Sequence, residues 1–342
     1  MKIAIIKLSA MGDIVHAMVA LQYMKRSLTD INIDWIVEHS FVGLLEHSPH
    51  IDRVLSVNLK KLKQDRSILF EEIKRIKSYA EHEYDMVIDM QGLVKSALVS
   101  RLLGYSVGFD RSSIREKAAS LFYKKSFAIP YEENVIYRNV KLACTALDID
   151  FDKKVLSDKD PFLFFTEDES RKTVGYLTKS KKNIIYILGS SWDSKIYPKE
   201  KFVEVINALG ENALLVWGDK REYYDAKYVS EHTKAVLLPH LTLGELKALI
   251  SNADLVIGGD SGPTHFAWAL NRPSITLFGP TPGDRNTFET PYNRVICSDS
   301  EVDPLRLNRE DFSIQEIDPN MIVDTALDIL NRFTIGDEEY RL

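Results

Sequence analysis

Asp254-Leu255-Val256-Ile257-Gly258-Gly259-Asp260-Ser261-Gly262-Pro263-Thr264-His265 is the stretch on which the fold turns. Its apolar run lacks the alternation of a half-exposed strand and reads as a strand buried on both faces, the mark of a parallel sheet covered by helices. Two glycines close the strand, Ser261 or Gly262 can cap a following helix, and Pro263 fits that helix's first turn. A helix start just beyond a strand end offers unpaired N–H groups and the positive end of a helix dipole, a setting suited to phosphate. A purely structural tight turn would also explain the glycines, but it explains Asp260 and His265 less well.

Working outward, the same strand–turn–helix alternation recurs. Strands are expected at 183–188, 213–217, 235–238, 255–257 and 274–278, and earlier at 3–6, 33–37, 53–57, 85–90 and 105–109. Residues 14–28 carry helical periodicity. Residues 319–333, with Ile322, Val323, Ala326, Leu327, Leu330 and Phe333 at helical spacing, read as a closing amphipathic helix. Between the two series lies an acidic stretch, 148–170, containing Pro161, which marks a domain boundary. The expected architecture is α/β: doubly wound domains at 1–160 and 161–318, then a helix and tail, 319–342, packing back toward the first domain. A chain of 342 residues accommodates two domains at about 100–200 residues each.

Composition narrows the function classes. Charged content of 27% and aromatic content of 10% exclude an intrinsically disordered chain. Cys144 and Cys297 are too few and too distant for a disulfide framework or a zinc motif, which fits a reducing compartment. Lys2 and Lys7 interrupt the opening apolar segment, so no signal peptide is read there, and no run of about 18 apolar residues could cross a bilayer. The expected location is cytoplasmic. A net charge of −6 argues against nucleic-acid binding. The charge is uneven: residues 1–150 hold 21 basic and 19 acidic side chains, residues 151–342 hold 23 and 31. Lys60, Lys61, Lys63, Arg66, Arg111, Arg115, Lys117 and Arg138 all lie in the first part. Such runs are commonly solvated faces, yet in an acidic protein this concentration also suits an anionic acceptor or a membrane surface.

In open parallel sheets, ligands bind beyond the carboxyl ends of the strands. Five loops occupy such places. Leu8-Ser9-Ala10-Met11-Gly12-Asp13-Ile14 puts a carboxylate near a helix start, where it serves at least as a cap. Met90-Gln91-Gly92-Leu93-Val94-Lys95-Ser96 is a second polar turn in the first domain. Leu188-Gly189-Ser190-Ser191-Trp192-Asp193-Ser194-Lys195 offers hydroxyls and an ammonium able to hold phosphate oxygens. Trp217-Gly218-Asp219-Lys220-Arg221-Glu222 offers acidic groups for ribose hydroxyls, or simply a charged helix start. The fifth is the stretch quoted first. Neither a Gly-x-Gly-x-x-Gly fingerprint nor a Gly-x-x-x-x-Gly-Lys-Ser/Thr loop is present in the opening turn, which weakens dehydrogenase and P-loop readings.

Ser9-Ala10-Met11-Gly12-Asp13-Ile14, Lys195-x-Tyr197-Pro198, Gly259-Asp260-Ser261-Gly262-Pro263-Thr264-His265 and Leu277-Phe278-Gly279-Pro280-Thr281 together resemble the motifs of the family 9 glycosyltransferases, the ADP-heptose:lipopolysaccharide heptosyltransferases. The resemblance spans the chain and keeps motif order. Tyr197 stands where many members carry Trp. Asp89-x-Gln91-Gly92-Leu93-x-Lys95-Ser96 resembles the branch that adds the first heptose to the Kdo of Kdo-lipid A.

The resemblance implies a GT-B fold, with two facing doubly wound domains and a cleft between them. It also implies metal-independent, inverting transfer from ADP-L-glycero-β-D-manno-heptose with no cofactor. Asp13 matches the general base, and Lys195, Ser190 and Ser191 match diphosphate contacts joined by the helix start at Ser261 and Gly262. Asp260 matches a heptose contact, Glu222 a ribose contact, and His265 lies beside the diphosphate. Gln91, Lys60, Lys61, Lys63, Arg115 and Arg138 are the implied acceptor contacts, for an enzyme working peripherally at the inner face of the cytoplasmic membrane. The alternatives are the enzyme that adds the second heptose and a nucleotide-sugar-binding protein without transfer.

Overall fold

The protein is described from a computed structural model that covers residues 1–63 and 65–332. It divides into two compact units, Met1–Lys159 and Asp160–Leu342.

The first unit is built on β1 (Lys2–Ile6), β2 (Asn32–Glu38), β3 (Arg53–Val57), β4 (Tyr84–Asp89), β5 (Gly104–Phe109) and β6 (Lys125–Phe127). All pairings are parallel, in the order β3-β2-β1-β4-β5-β6. The four β1 residues from Ile3 to Ile6 are fully buried, because helices cover both sheet faces. The periodic segment 14–28 forms two helices, Met11–Met18 and Ala20–Ser27, rather than one. The break falls at Val19, whose carbonyl accepts the tighter bond from the Gln22 N–H at 3.2 Å.

The second unit repeats the plan with β7 (Asn183–Ile187), β8 (Asn212–Val216), β9 (Val236–Leu237), β10 (Leu255–Gly259), β11 (Ser274–Phe278) and β12 (Asn293–Cys297), in the order β12-β11-β10-β7-β8-β9. Counted from its own first strand, this is the same order as in the first unit. The closing helix runs Pro319–Arg332, and Ile322, Ala326, Ile329 and Leu330 join the second unit's core beside Phe202 and Leu277. Phe333 and the tail 334–342 lie outside the described residues. Among the described residues no helix is long and apolar enough to cross a membrane.

In each sheet the strand order reverses between two central neighbours, β1 and β4 in one and β7 and β10 in the other. A crevice forms outside the carboxyl ends of such a pair. The loops that begin at residues 7, 90, 188 and 260 are the four that follow these strands.

Candidate active site

In the second unit the loops after β7 and β10 converge on Asp260. Its Oδ2 lies 2.8 Å from Lys195 Nζ and accepts hydrogen bonds from Thr281 Oγ1 at 2.8 Å and Asn286 Nδ2 at 3.4 Å. His265 Nε2 lies 3.1 Å from Oδ1, and Ser190 Oγ donates to the Asp260 carbonyl at 3.3 Å. Burial by itself would raise the Asp260 carboxyl; the Lys195 ammonium and the His265 hydrogen bond outweigh it and hold the group well below the usual carboxylate range. The approach is close because Gly259 has no side chain: a Cβ there would stand 2.8 Å from the Lys195 carbonyl oxygen.

The helix Gly262–Ala269 starts directly after this cluster with Ser261 at its cap. Ser261 makes no capping bond with its hydroxyl, which instead lies 3.0 Å from Thr264 Oγ1, and Pro263 follows at the start. This leaves first-turn N–H groups available to an anion.

Glu222 joins the same region from the helix Lys220–His232. Its Oε2 accepts the Gly218 N–H at 2.6 Å, and burial raises its carboxyl above the ordinary range despite that bond. The carboxylate fills the space above Gly189, where an added Cβ would meet Oε1 at 1.9 Å. Ser191 is exposed on the intervening loop. Tyr197 is buried against Phe202 and donates to the Ile317 carbonyl at 3.0 Å. Ser190, Lys195, Glu222, Asp260, Ser261, Gly262 and His265 thus belong to adjoining loops and helix starts at one end of one sheet. A cavity of about 460 Å³ lined by Asp193, Tyr197, Lys199, Arg221 and Phe312, among others, includes none of them.

In the first unit, the loops after β1 and β4 are tied together by Gln91. Its Oε1 accepts the N–H groups of Leu8 at 2.9 Å and Ser9 at 3.1 Å. Its amide nitrogen has no protein acceptor among the described residues. Asp13, in the first turn of Met11–Met18, accepts the Ala10 N–H at 3.2 Å through Oδ2. Behind Gln91, the wholly buried Asp89 accepts the N–H groups of Gln91 and Gly92 and the Tyr123 hydroxyl.

The cations of this unit separate by burial. Lys60 and Lys61 are exposed, with Lys60 Nζ 4.5 Å from the Phe41 ring centroid. Lys63 contributes its backbone to the turn Lys61–Lys63, and its side chain lies outside the described residues. Arg115 is exposed. Arg138 is 5% exposed: its guanidinium lies against the rings of Phe109 and Tyr131 and donates to the Ser113 carbonyl. Sequence reading passed over Glu38, a carboxylate 2% exposed at the end of β2 that feels the Lys95 and Lys60 charges. Burial outweighs both and raises its carboxyl. Its signal was available: a charged residue directly after the apolar run Trp35-Ile36-Val37. Among the described residues no group of three or more His, Cys, Asp or Glu could hold a metal ion.

Residues 73–306 match the profile of glycosyltransferase family 9 (heptosyltransferase). The lipopolysaccharide heptosyltransferase 1 of Campylobacter coli is 40% identical, across 99% of this chain and all of that protein. Among solved structures, E. coli heptosyltransferase WaaC with ADP is 26% identical with a TM-score of 0.79, covering 96% of this chain and 100% of that one. The same enzyme with ADP-2-deoxy-2-fluoro heptose gives 25% and 0.76, covering 95% and 98%. The succession of two doubly wound sheets is thus that of the GT-B heptosyltransferases, and the chain belongs to glycosyltransferase family 9, the heptosyltransferases.

Proposed function

We propose that the chain transfers L-glycero-D-manno-heptose from ADP-L-glycero-β-D-manno-heptose to the Kdo of Kdo-lipid A, with inversion at the anomeric carbon. The observation that carries this reading is the gathering of Ser190, Lys195, Asp260 and an open helix start at the switch point of the second sheet. It is supported by full-length likeness to a lipopolysaccharide heptosyltransferase 1, and by relatives solved with ADP and an ADP-heptose analogue.

In the proposed reaction the acceptor hydroxyl oxygen bonds to the anomeric carbon as the bond from that carbon to the diphosphate oxygen breaks. The electron pair leaves with ADP. Asp13 takes the hydroxyl proton, a role worth about 10²–10⁴ in rate. Lys195, Ser190, Ser191 and the N–H groups at Ser261 and Gly262 stabilise the departing diphosphate, doing by hydrogen bonds and charge what a metal ion would otherwise do. His265 orients Asp260, and Glu222 holds the ribose. Four donors already surround the Asp260 carboxylate, so a heptose hydroxyl displaces the longest contact, that of Asn286.

Lys60, Lys61, Lys63 and Arg115 meet the carboxylates and phosphates of the acceptor at the cytoplasmic membrane surface, and the Gln91 amide donates to it. Arg138 fixes the Ser113 carbonyl and so the loop that carries Arg111 and Arg115.

Purified protein given ADP-heptose with either Kdo-lipid A or heptosyl-Kdo-lipid A tests the acceptor. Product is expected with the first, and product with the second alone would transfer the assignment to the enzyme that adds the second heptose. Asp13→Ala is expected to lower turnover by about 10²–10⁴ with ADP-heptose affinity kept. Unchanged turnover would remove Asp13 from the mechanism, and a wild-type chain that binds donor without product would be a non-catalytic binder.

A further inference from the structure

Two cations share the ring of Trp192 in the middle of the 190–195 loop. Lys195 Nζ lies 5.4 Å from the ring centroid and Arg309 Cζ 4.4 Å. Lys195 comes from the turn Asp193–Lys195, whereas Arg309 comes from the segment between β12 and the closing helix. That segment is closed on itself by side-chain bonds and tied at its far end to the helix Lys199–Leu209. Ser300 Oγ donates to Asp311 Oδ2 at 2.6 Å and Ser298 Oγ to Ser313 Oγ at 2.8 Å. Lys201 Nζ donates to the carbonyls of Gln315 and Ile317 at 2.7 and 2.9 Å. Arg309 lies between Ser300 and Asp311 in that closed segment, and its guanidinium reaches the Trp192 ring.

The charge around the loop leaves a role for it. Lys195 already faces the Asp260 carboxylate, and Arg221 is paired with Asp193. Arg309 has no carboxylate within ion-pair distance among the described residues. A nucleotide-sugar diphosphate carries negative charge on both phosphates, and more accumulates as the sugar bond breaks, so Lys195, whose charge Asp260 partly balances, leaves a share of it for a second cation. A guanidinium stacked on an aromatic ring keeps its in-plane N–H donors free, and their fork matches two phosphate oxygens.

We propose that Arg309 is a donor-binding residue that meets the diphosphate of the nucleotide sugar, with Trp192 as the platform that holds it beside Lys195. The proposal rests on the donor being a nucleoside-diphosphate sugar.

The test compares the binding of ADP and of adenosine, by calorimetry, to the wild-type chain and to Arg309→Ala and Arg309→Lys. Arg309→Ala is expected to lose about tenfold or more in ADP affinity with adenosine affinity unchanged, because adenosine lacks the phosphates. Arg309→Lys is expected to recover part of the loss, since it restores charge without the fork. Wild-type ADP affinity in Arg309→Ala would overturn the proposal. An equal loss for ADP and adenosine would overturn it too, by reducing Arg309 to a support for the loop. Failure of the folded wild-type chain to bind ADP at all would sink the donor assignment itself, and this proposal with it.

Discussion

Lys195 and Asp260 stand 2.8 Å apart across the point where the second sheet reverses its strand order, each carried by the loop that follows a central strand. Both side chains are largely buried, at 12% and 10% exposure. Removing one partner of such a pair leaves an uncompensated charge and costs about 3 kcal/mol or more. Lys195→Met is therefore expected to lower both stability and turnover, the latter by about 10²–10³ if Lys195 also steadies the leaving diphosphate. Adding Asp260→Asn removes the stranded charge and should return much of the stability but not the turnover. Thermal unfolding and steady-state rates of the two single variants and the double variant separate the terms. Parallel recovery of stability and turnover would mean that Lys195 acts only through the fold.

Glu222 and Gly189 give a second expectation. The Glu222 carboxylate occupies the volume that an alanine methyl would need, 1.9 Å from Oε1, so Gly189→Ala must push it off the Gly218 N–H. Because the obstacle is the end of a flexible side chain, the fold survives and the cost falls on whatever Glu222 holds. Affinity for ADP and for adenosine should fall together, by about tenfold. Calorimetry on the variant checks this, and unchanged nucleoside affinity would free Glu222 from the ribose.

The central strands were legible because a strand buried on both faces reads as an apolar run, as at 255–257 and 3–6. β6 and β12 were not foreseen. Lys125-Ser126-Phe127 is short and exposed, Arg294 interrupts Asn293–Cys297, and both are edge strands that bury little. The site loops were legible from small residues at strand ends, whereas the partner of each side chain was not. Nothing local in the sequence says that Lys195 meets Asp260, or that Arg309 reaches Trp192. Charge counting likewise grouped Arg138 with the exposed cations, although its guanidinium is packed against Phe109 and Tyr131.

Gln91 joins the two first-unit loops through a single carbonyl oxygen, so Gln91→Leu leaves the N–H groups of Leu8 and Ser9 without their acceptor. The cost is about 1–3 kcal/mol. The loop that leads into Asp13 loses its brace, and turnover should fall while ADP affinity, assigned in the proposed function to residues of the other unit, is kept. KM for Kdo-lipid A should rise as the Gln91 amide is lost. Rates measured at saturating donor, together with ADP calorimetry, give the comparison. Wild-type turnover would mean that the loop holds its shape unaided.

Asp89 beneath that loop supplies a pH dependence. Burial raises its carboxyl above the ordinary range, more than the hydrogen bonds from the Tyr123 hydroxyl and the Gln91 and Gly92 N–H groups lower it. A carboxyl whose folded-state pKa is raised favours folding fully below its unfolded value, about 3.9, and that contribution is lost as pH rises through the folded value. Asp89→Asn has no charge to bury. Its Oδ1 can still accept the two N–H groups, and its amide can donate to the Tyr123 oxygen. The melting temperature of Asp89→Asn relative to wild type should therefore climb as pH is raised from about 4 to about 8. Thermal denaturation across that range reads the trend directly. A difference that stays flat or shrinks with rising pH would show that Asp89 is held ionised in the fold at little cost.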